Sequence, residues 1–236
     1  MLRFVYCCTV GFFLIIFYLC KLNYIEKHSE RYDELSRYQV ARDLIRDVKR
    51  KGRITTDVYG LENLPKEGGY VMYPNHQGKY DTLGIIDNHD RPCTILIDEQ
   101  RSKMILTNEV IRLIRGARLD KSSPKKQVQT ILDVAEQVKN GRIYIVFPEG
   151  GYRHNRNTVQ EFMPGAFKCS MKSRTPIVPV ALVDSWKPFE VNSLKKVKTQ
   201  VHFLPPIPYE EYKNMNSREI ADMVRGIISR TVEQYA

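Results

Sequence analysis

Acidic residues and organised cysteines are what this chain has least of. Aspartate and glutamate number 27 against 37 lysines and arginines, giving the 236-residue chain a formal charge of +10 and a pI near 9.3. Such a balance suits a polyanionic partner: nucleic acid, an anionic membrane surface or phosphorylated small molecules. The five cysteines form no CxxC pair and no His–Cys cluster. Cys7, Cys8 and Cys20 fall in an apolar segment, and Cys93 and Cys169 are scattered. This excludes a disulfide framework and a structural zinc site, with a reducing compartment as the simpler reading. Internal repeats, low-complexity tracts and a second-domain boundary are also lacking. What is there, 42% hydrophobic and 27% charged residues, is globular composition, which excludes disordered, collagen-like and coiled-coil chains.

Residues 4–20, FVYCCTVGFFLIIFYLC, contain no charge. As one helix they would extend about 25 Å, slightly under the roughly 30 Å of a bilayer core. No small-x-small cleavage site follows, and YLCK lacks the small residue wanted before a lipoprotein cysteine. An uncleaved anchor is therefore favoured over a signal peptide. It either spans the bilayer or lies in one leaflet. Arg3 precedes the run, whereas Lys21, Lys27, Arg31 and Arg37 follow it, which puts the rest of the chain on the cytoplasmic side of the cell membrane.

The chain is thus divided into an anchor helix (residues 1–24), an amphipathic basic helix with linker (25–53) and a globular domain (54–236). In the second part, Leu35, Tyr38, Ala41, Leu44, Ile45 and Val48 recur at helical spacing, while Arg37, Arg42, Arg46, Lys49, Arg50 and Lys51 make the remainder basic. This helix lies on an anionic surface or packs on the domain; the pattern allows either.

From residue 54 onward, apolar runs alternate with amphipathic stretches. Strands are expected at 54–60, 69–73, 93–97, 117–119, 142–147, 177–182 and 197–204, and helices at 81–88, 102–115, 124–139, 164–173 and 217–235. Ser123, Pro124 and Gly141 frame the helix at 124–139, whose buried stripe is expected to be Val128, Ile131, Leu132, Ala135 and Val138. Asn216 with Glu219 forms a capping-box pattern for the last helix. Alternation of this kind predicts a three-layer α/β domain.

Four blocks hold the chemistry. In YPNHQGKYD, His76 and Asp81 stand five residues apart. On one continuous helix they would be about 140° apart and would not meet. They meet if His76 lies in the turn leaving a strand and Asp81 opens the next helix, as Pro74 and Gly78 favour. Asp81 then holds one imidazole nitrogen and leaves the other free as a base toward an alcohol. YIVFPEGGYRHNR places Glu149, Gly150, Gly151, Arg153, His154 and Arg156 after an apolar strand, where open α/β sheets bind ligands and arginines can grip phosphate. GARLDKS carries Arg118 and Lys121. TPIVPVAL has Pro176 and Pro179 in an apolar strand, which predicts a sheet edge or pocket wall.

Together these blocks resemble the glycerolipid acyltransferases, specifically the 1-acylglycerol-3-phosphate acyltransferases, over roughly residues 50–205. The family's NH-x4-D matches Asn75-His76 through Asp81 and its FPEG matches Phe147-Pro148-Glu149-Gly150. Leu119-Asp120-Lys121 and Val178-Pro179-Val180 look like the other two blocks. There are departures: Gly78 where serine is frequent, Gly151 where threonine is usual, Tyr152 ahead of Arg153, and Lys121 for an arginine.

The resemblance implies a glycerolipid acyltransferase-like domain with an N-terminal membrane helix. It implies acyl transfer from an acyl-CoA or acyl carrier protein thioester to the hydroxyl of lysophosphatidic acid, giving phosphatidic acid in phospholipid synthesis. His76 would be the base, oriented by Asp81, with Glu149, Arg153 and Lys121 forming the acceptor phosphate site and backbone amides near Gly150 holding an oxyanion or phosphate. Membrane lipids are the expected partners, nucleic acid is not, and neither metal nor cofactor is required. Glycerol-3-phosphate or another lysolipid as acceptor, a hydrolase using the same dyad, and a non-catalytic anionic-lipid-binding module are the alternatives.

Overall fold

The structure, a computed structural model, describes residues 2–236. Its first two helices, α1 (Leu2–Val10) and α2 (Phe12–Lys27), meet at Gly11. The charge-free run is therefore two helices rather than the single anchor expected from hydropathy, and among the described residues no helix is long and apolar enough to cross a membrane. Both are docked on the domain. Arg3 is fully buried and donates to the carbonyls of Pro188 at 2.9 Å and Lys195 at 2.5 Å. Tyr18, Leu22 and Ile25 bury the inner face of α2. The outer face leaves Phe12, Phe13, Ile16 and Phe17 exposed, Phe13 by 83%.

Helix α3 (Glu34–Gly52) buries Tyr38, Ala41, Leu44 and Ile45, much of the stripe read from the sequence, though Leu35 stays exposed. Its basic residues are largely committed inward. Arg46 and Lys49 ion-pair with buried Asp87, Arg42 donates to the Asp87 carbonyl, and Arg37 donates to the carbonyls of Leu113 and Tyr32. Of the two roles open to this helix, packing on the domain is what the structure has; a buried Asp87 needs such cationic partners.

Then follow β1 (Ile54–Tyr59), β2 (Tyr70–Pro74), α4 (Asp81–Asn88), β3 (Cys93–Asp98), α5 (Glu99–Ser102), α6 (Thr107–Leu113), β4 (Ala117–Leu119) and α7 (Pro124–Lys139). After these come β5 (Ile143–Val146), α8 (Lys168–Ser173), β6 (Ile177–Val183), α9 (Lys187–Glu190), β7 (Val197–Phe203), α10 (Tyr209–Tyr212) and α11 (Ser217–Tyr235). The strands form one sheet in the order β1-β7-β6-β2-β5-β3-β4, parallel except for the β6–β7 pair.

Period-two alternation sends successive side chains to opposite faces. Tyr70 and Met72 of β2 join one core with α2, α3, α4 and α6. Val71 and Tyr73 join a second core with α7, α8 and α11. The three-layer α/β class expected from the sequence is what forms.

Two details differ from the sequence reading. Pro179 lies in a fully buried, central strand rather than at an edge. The sheet tolerates it because antiparallel pairing with β7 begins one residue later, at Val180, while the Pro179 carbonyl still accepts from Leu204. On α7, Val134, Ala135 and Val138 are buried, but Val128 and Leu132 are exposed and line a cavity instead of the core.

Candidate active site

The strand β2 ends at Pro74, and the next turn presents His76. Asn75, fully buried, fixes that turn to β6: its Nδ2 donates to the Leu182 carbonyl at 3.0 Å and its Oδ1 accepts from the Leu182 N–H at 2.7 Å. Gln77 does the same from the other side of His76, donating to the Leu182 carbonyl and to Asn157 Oδ1 and accepting from the Ser185 N–H. Asp81 is the first residue of α4 and has no exposed surface. Its Oδ2 lies 2.7 Å from His76 Nδ1 and accepts from the backbone N–H groups of Gln77 at 2.6 Å and Gly78 at 2.9 Å. The strand–turn–helix arrangement expected for the dyad is present. With Nδ1 facing Asp81, the remaining nitrogen, Nε2, is the one available to a substrate. At Gly78 an added Cβ would come no closer than 3.5 Å to Trp186, so the serine frequent in the family is sterically optional here.

Glu149 does not stand where the phosphate role would need it. Its Oε1 accepts from the His76 backbone N–H at 3.0 Å, and its Oε2 accepts from Gln160 Nε2. It sits behind the cavity wall as a brace on the histidine turn, and burial pushes its carboxyl up to about 7. Gly150 does line the cavity. Its φ of 70° favours glycine. Lys121 also lines the cavity, donating to the Gly150 carbonyl at 2.9 Å with Asp98 Oδ2 at 3.3 Å. Arg153 lies on the exposed loop outside the cavity lining. Of the four residues expected around the phosphate, the structure thus brings together Lys121 and Gly150, turns Glu149 to another task and leaves Arg153 apart. Two residues the sequence reading passed over, Arg101 and Tyr152, line the wall in their place.

The cavity holds about 1610 Å³ and is overwhelmingly apolar. Its lining includes His76 and Tyr152, Ile95 and Ile111, Leu14 and Ile15 of α2, and Leu44 and Val48 of α3. The rings of Phe147 and Tyr152 flank the His76 imidazole at 4.2 and 4.9 Å. Cys93 and Cys169 are buried, with burial pushing each thiol up to about 12, which makes them packing groups rather than nucleophiles.

An α/β sheet thus sets the His76–Asp81 pair at the wall of an apolar cavity, and similarity to known proteins gives its class. The acyltransferase family profile matches residues 55–183, more than half of the chain, which therefore belongs to that family. Among curated relatives, the 1-acyl-sn-glycerol-3-phosphate acyltransferase of Escherichia coli is 27% identical over 169 residues, 71% of this chain and 68% of that protein. The sheep 1-acyl-sn-glycerol-3-phosphate acyltransferase alpha is 25% identical over 191 residues, 79% of this chain and 66% of the relative. The chain thus spans about two thirds of the length of these relatives. Among solved structures, the 1-acyl-sn-glycerophosphate acyltransferase PlsC of Thermotoga maritima superimposes with a TM-score of 0.78 at 22% identity, covering 99% of this chain and 93% of that one. That likeness establishes the shared fold.

Proposed function

We propose that this protein is a membrane-associated O-acyltransferase that moves a fatty acyl group from a thioester to the free hydroxyl of lysophosphatidic acid, giving phosphatidic acid. The observation that carries the reading is the His76–Asp81 dyad opening onto the apolar cavity. At about 1610 Å³ the cavity exceeds the roughly 300–1,000 Å³ of a usual small-molecule site, as long acyl chains require. The names of the curated relatives favour the same acceptor.

In this mechanism the acceptor hydroxyl gives its proton to His76 Nε2 as its oxygen attacks the thioester carbonyl carbon. Asp81 holds Nδ1–H and stabilises the imidazolium. Collapse of the tetrahedral intermediate breaks the carbon–sulfur bond, and the leaving thiolate takes the proton from His76. The thioester is that of acyl-CoA or acyl carrier protein, and the chain needs no cofactor of its own for these steps.

The surface supports attachment to one leaflet. The exposed faces of α1 and α2 are joined by Met104, Ile105, Val128, Leu132 and Met163, large apolar side chains exposed around the cavity. Such an apolar patch is costly in water and marks an interaction site. In this reading the catalytic domain works on the cytoplasmic side of the cell membrane, in keeping with the lysines and arginines that follow the apolar run.

The test is lipid mass spectrometry of purified protein given one thioester and a panel of acceptors. Phosphatidic acid formed from lysophosphatidic acid, with thiol release dependent on that acceptor, is the expected result. Acceptor-independent thiol release would mean hydrolysis, and no release at all would leave a binding module.

A further inference from the structure

The loop after FPEG carries its arginine away from the cavity, yet the cavity wall beside Gly150 still bears a guanidinium. Resting on the acceptor assignment just made, we propose that Arg101 of α5 is the residue that grips the phosphate of the acceptor, with Tyr152 as its platform and Lys121 as a secondary cation.

Four observations place it there. Arg101 lines the same cavity as His76, Lys121, Gly150 and Gly151. Its guanidinium carbon stands 5.5 Å from the centre of the Tyr152 ring, whose own centre is 4.9 Å from that of His76. Tyr152 therefore contacts both the base and the guanidinium. A Cβ added at Gly151 would sit 3.5 Å from Arg101 Nη2, an ordinary contact distance that puts the guanidinium beside the Gly151 backbone. Gly151 and Tyr152, two of the departures from the family pattern, are thus the residues that the Arg101 guanidinium lies against.

Charge accounting points the same way. Lys121 is half-spent on Asp98 and the Gly150 carbonyl. Among the described residues, no carboxylate ion-pairs with Arg101, which is exposed and contacts the Tyr152 ring. Asp98 positions both cations without neutralising Arg101. Its Oδ1 accepts from the backbone N–H groups of Gln100 and Arg101, while its Oδ2 faces Lys121. A planar guanidinium held against an aromatic face presents two parallel donors, the geometry that suits phosphate.

The experiment compares the wild type with Arg101→Ala, Arg101→Lys and Arg153→Ala. It reads KM for lysophosphatidic acid, KM for the thioester, and competition by sn-glycerol 3-phosphate as a bare phosphate probe. Arg101→Ala is expected to raise the acceptor KM and weaken the competition together by about 10- to 150-fold, the range of a charge-assisted hydrogen bond. The thioester KM should stay put, with Arg101→Lys intermediate and Arg153→Ala within about twofold of wild type. Because Arg101 is exposed, circular dichroism should show the variant folded.

The proposal is overturned if Arg101→Ala matches wild type, if Arg153→Ala shows the same loss, or if donor and acceptor constants rise together. A wild type that neither acylates lysophosphatidic acid nor responds to sn-glycerol 3-phosphate would remove the acceptor assignment and Arg101 with it. A wild type that does both while Arg101→Ala is unaffected would remove Arg101 alone.

Discussion

The turn at residues 75–81 and the loop at residues 150–157 face the same imidazole, but they are built in opposite ways. In the turn, Asn75 and Asp81 have no exposed surface, and paired hydrogen bonds to Leu182 and three donors to one Asp81 oxygen fix every bond direction. In the loop, Gly150, Gly151, His154 and Arg156 all take positive φ, and the side chains of Arg153, His154 and Arg156 face solvent. The first is held by buried groups and admits little change; the second is tied to the turn and to Asp184 through Asn155 and Asn157 but leaves its arginines exposed, so that its cation can come from α5. The difference separates chemistry from recognition.

The largest effect that would sharpen this contrast is loss of the base. His76→Ala should lower turnover by about 10²–10⁴-fold, the usual contribution of a general base, with Asp81→Asn also severe. Acceptor-dependent thiol release measures it, and a His76→Ala rate within about threefold of wild type would remove the dyad from the mechanism. Next in size is the scaffold of the turn. Asn75→Ala strands the buried N–H of Leu182, whose carbonyl keeps its Gln77 donor, costing roughly 1–3 kcal/mol, whereas Arg153→Ala in the exposed loop should fall within about 0.5 kcal/mol of wild type. Equal urea midpoints for the two variants would break the comparison.

Which of these features the sequence discloses follows from how local each is. The dyad is legible because Pro74, Gly78 and a carboxylate at a helix start are all neighbours. The helices at 124–139 and 217–235 begin where Ser123, Pro124, Asn216 and Glu219 say they should. The charge-free run misleads because hydropathy is blind to the break at Gly11 and to the docking made by buried Arg3. The expected helix at 102–115 is interrupted at Leu106, whose φ is 69°, and no propensity announces that. Glu149 shows the same limit: FPEG is visible, but Gln160 and the His76 backbone, which turn the carboxylate away from phosphate, come from other parts of the chain. Arg101 is invisible for that reason too, since its seat is made by Tyr152 fifty-one residues later.

A middle-sized effect tests the join between the two regions. Glu149 ties the loop's strand to the turn, and burial raises its carboxyl from 4.5 to about 7. The folded state thus holds a proton on Glu149 that the unfolded chain releases above about pH 4.5. That group's contribution is complete below about pH 4.5 and is lost as pH rises to about 7, by about 1–3 kcal/mol. Glu149→Gln cannot titrate. Whatever fixed cost the amide carries, its stability deficit relative to wild type should be smaller at pH 8 than at pH 4.5. Urea midpoints of both proteins at the two pH values decide it, and a deficit that stays constant would mean Glu149 keeps an ordinary carboxylate affinity for protons.

The smallest effect concerns the outer face of the first helices, where solvent rather than the core meets the side chains. Phe13 is 83% exposed, so Phe13→Ser should alter the urea midpoint in detergent-free buffer by no more than about 0.5 kcal/mol. Arg3→Ala should be worse in that assay, since it strips donors from the Pro188 and Lys195 carbonyls and loosens α1 from the loop before β7. On vesicles the ranking reverses. Burying a phenyl side chain in the interface contributes about 1.5–3 kcal/mol when complete, so partial insertion of Phe13 predicts a loss of about tenfold in partitioning. Arg3, already inside the protein, contributes little of its own to the membrane. Flotation of both variants with anionic liposomes at low and high salt separates the two roles. A Phe13→Ser protein that partitions like wild type would place the membrane contact on some other face, while one that unfolds would mean the outer face of α2 is core after all.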